Sequence, residues 1–419
     1  MREDRQRWVP PVRDVVQPWP TSRSIRVLWA ASALGGFAQS LAGSAGALLA
    51  RQIGGSDAVA GLPQTVSVIG AAISATLLSR LTLRRGRRLA LSCGAWAAVV
   101  GCAAVMLAAV FSSLPLVLAG SVLLGAGSTT VMLGRYAAAD LATEADRVHS
   151  MATVLTVTTI GAVLGPNLLA PASGFVSGVG LPELSGPYLF AMLGFGAAGC
   201  ALGIGLRAKP IAAGTGVAAT SIRVAPDDGR HTASGFAVLV VANLVMVSVM
   251  TMAPVQLAHD GRNLSMIGLV ISAHIAGMYA PSPLSGWLVH RIGGVRGAAV
   301  SGLALLAACV IAALGAADPV VLGAGMILLG VGWNLGLISG SDLLTAGVAA
   351  DRRPRLEGIG ELGMNAAAAG GGAVSGPVMM LGGYPTLAIV GSIASAFILP
   401  LLVHKKHATK PAGSPSTTV

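Results

Sequence analysis

The sequence predicts an all-α membrane protein, with twelve transmembrane helices in two six-helix bundles related by pseudo-two-fold symmetry. Three observations predict it: a composition too apolar for water, about twelve apolar stretches long enough to cross a bilayer, and a set of landmarks that occurs twice in the same order. Of the 419 residues, 54% are hydrophobic and 10% charged, and the mean hydropathy is +0.77. A soluble domain carries roughly a quarter of its residues charged, so lipid is the expected solvent.

The formal net charge is +11 and the pI about 10.4, yet no nucleic-acid partner is expected. The basic residues sit in short clusters between apolar runs rather than on one polar domain. Cys93, Cys102, Cys200 and Cys309 all fall inside apolar runs. They lack the close paired spacing of a metal site or disulfide framework, and read as small core residues. The chain has no Gly-x-x-x-x-Gly-Lys phosphate loop, no His-Glu-x-x-His helix and no Gly-x-Ser-x-Gly elbow. No enzyme, metal or cofactor is therefore expected, and an ion gradient is the expected energy source.

A helix crossing about 30 Å of hydrocarbon needs about 20 mostly apolar residues, because its backbone must satisfy its own hydrogen bonds. Such stretches lie near 26–50, 58–79, 89–111, 115–139, 149–173, 187–206, 235–257, 265–289, 297–316, 320–343, 357–381 and 385–403. Many are rich in Gly and Ala, which lets helices approach closely in lipid. The first 25 residues are polar and Arg-rich, broken by Pro10, Pro11, Pro18 and Pro20. They hold no apolar signal core, so the first span is expected to direct insertion.

Lys and Arg accumulate in loops that remain cytoplasmic. With the N-terminus inside, the clusters Arg2 to Arg26 and Arg80 to Arg88, and later basic groups through Lys410, fall inside, leaving Arg51 and Arg262 outside. Both ends are thus expected in the cytoplasm and the spans in the inner membrane. The polar interval 208–234, rich in Gly, Ala, Pro and charge, reads as a cytoplasmic linker. It separates bundles at 26–207 and 235–403, and 404–419 forms a second tail.

The internal repeat rests on three landmarks. A basic, glycine-containing loop follows the second span of each half, at Arg84-Arg85-Gly86-Arg87-Arg88 and again at Arg291-Ile292-Gly293-Gly294-Val295-Arg296. Leu-Leu-Gly-x-Gly marks each fourth span, at Leu123 to Gly127 and at Leu328 to Gly332. Gly-Ala-Val-x-Gly-Pro marks each fifth span, with Gly161, Gly165 and Pro166 in one and Gly372, Gly376 and Pro377 in the other. The offsets are 207, 205 and 211 residues. An even number of spans per copy gives parallel repeats with a shared cavity between them near the midplane.

From about residue 25 to 403 these features resemble the major facilitator superfamily. Its loop signature of Gly, Leu, an acidic residue, Arg, any residue, Gly and basic residues fits Gly286 to Gly293, with His290 in the acidic position. The first-half loop keeps Arg84, Gly86, Arg87 and Arg88 but has Leu83 at the acidic position. Gly161 to Pro166 looks like the fifth-span motif of that family's drug and metabolite antiporters, although Ser121 stands where their fourth span usually holds Arg. Arg135 to Asp140, together with His274 to Pro283, is similar to facilitators of high-GC Gram-positive bacteria. The resemblance implies a secondary transporter, working as a monomer, that exports a small hydrophobic or amphiphilic compound in exchange for protons. Uptake by proton symport, and a sensor or scaffold on the same fold that does not transport, are the alternatives.

Ionisable groups within spans are costly, which makes each a functional candidate. His274, well inside the eighth span, and Glu361, in the eleventh, are candidates for proton coupling; the alternative for His274 is a neutral core residue bonded to a neighbouring helix. Glu357, Arg135, Asp140 and Asp342 lie at inner span ends and, with Arg84, Gly86, Arg87, Arg88, His290, Arg291 and Gly293, are read as a cytoplasmic charge network that holds a gate. Gln39, Asn167, Asn243, Trp333, Asn334 and Asn365 are the cavity candidates. Each is also a residue type that bridges helices in membranes.

Overall fold

The computed structural model describes residues 23–141, 147–206, 229–346, 348 and 353–399. The expected C-terminal tail, all of the N-terminal tail but residues 23–25, and most of the expected linker lie outside this set. Within α-helices the side chains of Arg135, Asp140 and Glu357 are also outside it.

The described chain is helical throughout. In the first half, α1 (Arg23–Gly54) leads through a 3-10 turn (Asp57–Val59) to α2 (Leu62–Arg85), α3 (Arg87–Phe111) and α4 (Leu114–Leu141). There follow α5 (Arg147–Leu164), a 3-10 turn (Gly165–Leu168), α6 (Leu169–Ser177) and α7 (Gly186–Gly205). The second half contains α8 (Gly229–His259), α9 (Leu264–Tyr279), α10 (Ser282–Ile292), α11 (Gly294–Leu314), α12 (Pro319–Thr345) and α13 (Arg353–Ala396). Among the described residues, eleven helical stretches are long and apolar enough to cross a membrane.

The last stretch is two crossings. At 44 residues, α13 would run to about 66 Å, twice a hydrocarbon core. Gly383, with φ 73° and ψ 177°, interrupts it. Before the break, Gly363 packs on Phe236 and Gly371 on Ser248, so α13 runs parallel to α8. After it, Gly391 packs on Cys309 and Ile398 on Gly302, antiparallel to α11. The chain therefore reverses at Gly383, and the described residues make twelve crossings.

Two of the expected spans are not single helices. The fifth is divided by the 3-10 turn around Pro166, and the eighth by the step from Tyr279 to Ser282, which holds Pro281. Proline lacks the backbone N–H that would continue the ladder and crowds the preceding turn.

The repeat is visible in three dimensions. Gly86 closes α2 and opens α3 at φ 84°, ψ 162°, while Gly293 closes α10 and opens α11 at φ 85°, ψ 156°. This region of backbone space is open essentially to glycine alone. In the first half α4 packs on α2 and α3, and α1 on α5 and α7; in the second, α12 packs on α9 and α11, and α8 on α13. Fully buried Tyr188 and Cys102 lie beside one another in one half, as do Tyr384 and Cys309 in the other.

Candidate substrate cavity and its gates

Between the halves lies a cavity of about 180 Å³. The first half contributes Gln39, Ser40 and Ser44 from α1, Gln64 and Ser67 from α2, Ser121 from α4 and Tyr188 from α7. Met250, Thr251 and Pro254 of α8, with Ile271 and Ile275 of α9, close the other side. No Asp, Glu, Lys, Arg or His is among the described lining residues. Ser121, where the resemblance leads one to expect a cation, keeps the wall neutral, donating to Val117 O at 2.8 Å. Thr251 donates to Val247 O and Ser44 to Ser40 O. Their oxygens thus remain acceptors. Gln39 Oε1 is buried and has no hydrogen-bond partner.

Two contacts close the end of the cavity farther from the start of α1. In the first, Thr65 Oγ1 donates to Ala369 O at 3.0 Å across the boundary between α2 and α13. A methyl group on Gly61 would overlap the Gly372 carbonyl, and one on Gly376 would lie 2.5 Å from Ala58 O. In the second, Asn167 Nδ2 donates to Ser272 Oγ at 2.8 Å, and a methyl on Gly268 would overlap Pro166 O. Backbone-to-backbone approach of this kind needs glycine. At the rim, Asp57 Oδ1 receives Arg51 Nε at 2.9 Å and lies 3.2 Å from His259 Nε2. Toward the chain ends the same helices offer exposed faces, with Ile69, Ala72 and Thr76 on α2 and Asn365, Leu362 and Glu361 on α13.

The structure distributes the sequence candidates among several environments. Gln39 lines the cavity, and Asn167 belongs to the second latch. Asn243, Trp333 and Asn334 are buried inside the second half. Trp333 Nε1 donates to Asn243 Oδ1 at 2.9 Å, Asn243 Nδ2 to Met364 O at 2.6 Å, and Asn334 Nδ2 to Ser282 Oγ at 2.9 Å. Those three residues tie α8, α10, α12 and α13 together, away from the cavity wall. Asn365 is exposed on α13 and donates to Glu361 O. His274 is fully buried, with Nδ1 2.7 Å from Met326 O. Its Nε2 has no partner and it faces α12, whereas its neighbours Ile271 and Ile275 face the cavity.

The two fifth-span motifs have different contacts. Gly161 and Gly165 fit against Ala33 and Phe37 of α1 within their own half, whereas Gly372 and Gly376 touch α2 and the Asp57 turn of the other half. Of the loop residues, Arg84, Arg88, His290 and Arg291 are exposed, and the Arg291 guanidinium lies 5.4 Å from the Trp287 ring centre. Asp342 places its carboxylate against Gly294, at the N-terminus of α11, where the helix dipole favours an anion.

Sequence reasoning missed Gln64, Ser67, Tyr188, Met250, Thr251 and the Arg51–Asp57–His259 cluster. Gln64 follows Pro63 at the first turn of α2, and Pro254 lies inside α8 one turn after Thr251. These polar and proline positions within apolar runs were the available signals.

Twelve apolar crossings, duplicated bundles and a shared cavity gated by glycine contacts define a multi-pass membrane transporter. The chain belongs to the major facilitator superfamily. It matches that family over residues 28–212. It is 35% identical over 393 residues to YddS, an uncharacterised MFS-type transporter of Bacillus subtilis (strain 168), covering 91% of this chain and 90% of that one. It is 28% identical over 400 residues to the riboflavin transporter RfnT of Brucella anthropi, covering 92% and 96%. A solved structure of a mutant of the nucleoside transporter NupG superposes with a TM-score of 0.71 at 16% identity, covering 91% of this chain and 99% of that one.

Proposed function

We propose that this protein moves a small, uncharged, amphiphilic compound across the inner membrane by alternating access, as a proton-coupled exporter. One observation carries this reading: a cavity shared by both halves, free of ionised side chains, and latched shut at one end by contacts between the halves. A neutral wall of amide and hydroxyl groups offers no counter-ion to a charged substrate, while aliphatic surface and Tyr188 suit an apolar body. The charge distribution supports cytoplasmic chain ends, and in this reading the described state is inward-facing. Arg135, Asp140, Glu357 and Asp342, with the basic loops, remain the proposed inner gate. Of the two proposed coupling groups, Glu361 is open to water in this state and His274 is closed off.

Everted vesicles from an overexpressing strain test the proposal. Riboflavin is the first compound to assay, because a relative bears its name and its ring system is neutral and rich in hydrogen-bonding edges. Accumulation in the lumen that requires respiratory acidification supports export, and loss from preloaded vesicles under the same gradient indicates uptake. Full coupled activity in the double variant His274→Ala, Glu361→Gln would remove both residues from coupling. Binding without flux in proteoliposomes would favour a sensor.

A further inference from the structure

α2 and α13 run antiparallel, and their contacts fix a register. Gly61 meets Gly372, Thr65 meets Ala369, and Ala58 meets Gly376, so each step along one helix is matched by an equal step back along the other. Neither helix carries an internal proline between these contacts and its end nearer the chain termini. Continuing eleven residues, about three turns, from Gly61 reaches Ala72, and the same distance back from Gly372 reaches Glu361. Asn365 falls opposite Ile69 in the same register. All four are exposed in this structure.

When the opposite end of the transporter closes, we infer that α2 and α13 zip along this register and press the Glu361 carboxylate onto Ala72, between Ile69 and Thr76, so that closure requires Glu361 to be protonated. It rests on the alternating-access reading. The neighbourhood offers no charge to compensate the carboxylate. On α2, no residue from Leu62 to Ser79 is charged, and Arg80 comes two turns farther on. On α8, which packs against the other flank through Phe236 and Leu239, no charged residue lies between Thr232 and Ala258, and His231 lies at the helix start. Asp342, on α12, would add repulsion rather than relief. On α13 itself the nearest ionisable groups are Glu357, Arg355 and Arg353, one turn or more toward the helix start. A carboxylate buried without a partner cation takes up a proton in preference to remaining charged. One proton moves from the water on the open side to a Glu361 oxygen as the helices close and returns to that water as they part, so in this role Glu361 gates turnover and the proton that crosses the membrane is left to His274, the other coupling candidate. Acidity on that side then sets how readily the transporter turns over.

The test uses the full chain in proteoliposomes with the exposed Cys93 and Cys200 changed to Ser, Cys102 and Cys309 being buried. The pair Ile69→Cys, Asn365→Cys is treated with dibromobimane, which fluoresces only when it bridges two nearby thiols. Yield relative to the same pair carrying Glu361→Gln, a ratio that removes the slower reaction of protonated thiols, is expected to rise about threefold or more between about pH 8 and about pH 5.5. The pair Thr65→Cys, Ala369→Cys, already in contact in this structure, should cross-link at pH 8 and serves as the check on folding. With that check satisfied, absence of the Ile69–Asn365 bridge at every pH overturns the register. A bridge whose yield relative to the Glu361→Gln pair ignores pH overturns the proton requirement. A pH-dependent bridge in a protein that moves no compound would sustain the gate and remove the transport reading instead.

Discussion

Asp57 and His259 join the two halves at the rim of the cavity, where His259 Nε2 lies 3.2 Å from an Asp57 oxygen that Arg51 also holds at 2.9 Å. Asp57 opens the short 3-10 turn between α1 and α2, and His259 is the final residue of α8. Gly376 of α13 packs on the Asp57 carbonyl. One turn of the first half is therefore gripped by two elements of the second.

Replacing Asp57 with Asn should loosen that end. Partly exposed ion pairs contribute about 0.2–1 kcal/mol, so the closed fraction should fall by up to about fivefold rather than vanish. The rate at which a membrane-impermeant thiol reagent modifies Ser67→Cys from the latched side reads this directly; an unchanged rate would show that the pair does not hold the closed state. The contact is ionic only while His259 carries a proton.

Gly61→Ala attacks the same closure through its backbone contact. The added methyl overlaps the Gly372 carbonyl, and such overpacking costs about 1–3 kcal/mol in a rigid site. Cross-linking of Thr65→Cys with Ala369→Cys should drop about tenfold or more, with little change in thermal stability, because the strain falls on one conformer and leaves the fold intact.

Gln39→Leu keeps the size of the side chain and removes the buried oxygen that lacks a partner. If that oxygen receives a donor from the transported compound, affinity should weaken by about 1–3 kcal/mol, a roughly five- to 150-fold rise in Kd. Quenching of riboflavin fluorescence by purified protein measures it, and an equal Kd for the variant would exclude Gln39 from contact with that compound.

Asn243→Ala should behave in the opposite way. It strands Trp333 Nε1 and the Met364 carbonyl, and interhelical hydrogen bonds in membranes are valued at about 0.6–2 kcal/mol. The melting temperature in detergent should fall by several degrees while KM for a transported compound is unchanged. A raised KM with normal stability would return Asn243 to the cavity.

The crossings and the duplication were legible in the sequence because both depend on one-dimensional properties: the length of apolar runs, and glycines that the backbone cannot replace. Gly86 and Gly293 illustrate this, since their loops were recognisable as a pair and their conformations agree within a few degrees. The cavity was far less legible. Helices buried on most sides are apolar all round, so periodicity gives the depth of a residue without giving its direction. Gln39 and Asn243 look alike in such a run, yet one faces the cavity and the other a neighbouring tryptophan. His274 was chosen for its depth, and its orientation toward Met326 could not be read from its neighbours. The reversal at Gly383 was expected between two spans, whereas the breaks in the fifth and eighth spans required knowing that Pro166 and Pro281 end a helix rather than bend it.

That reversal at a single glycine also determines where attached cargo ends up. With twelve passes completed, a reporter fused ahead of Arg23 and another fused beyond Ala396 share one compartment, so complementary fragments of a fluorescent protein should reassemble there. Were α13 to continue as one rod past Gly383, the second fragment would be stranded across the bilayer and the cells would stay dark.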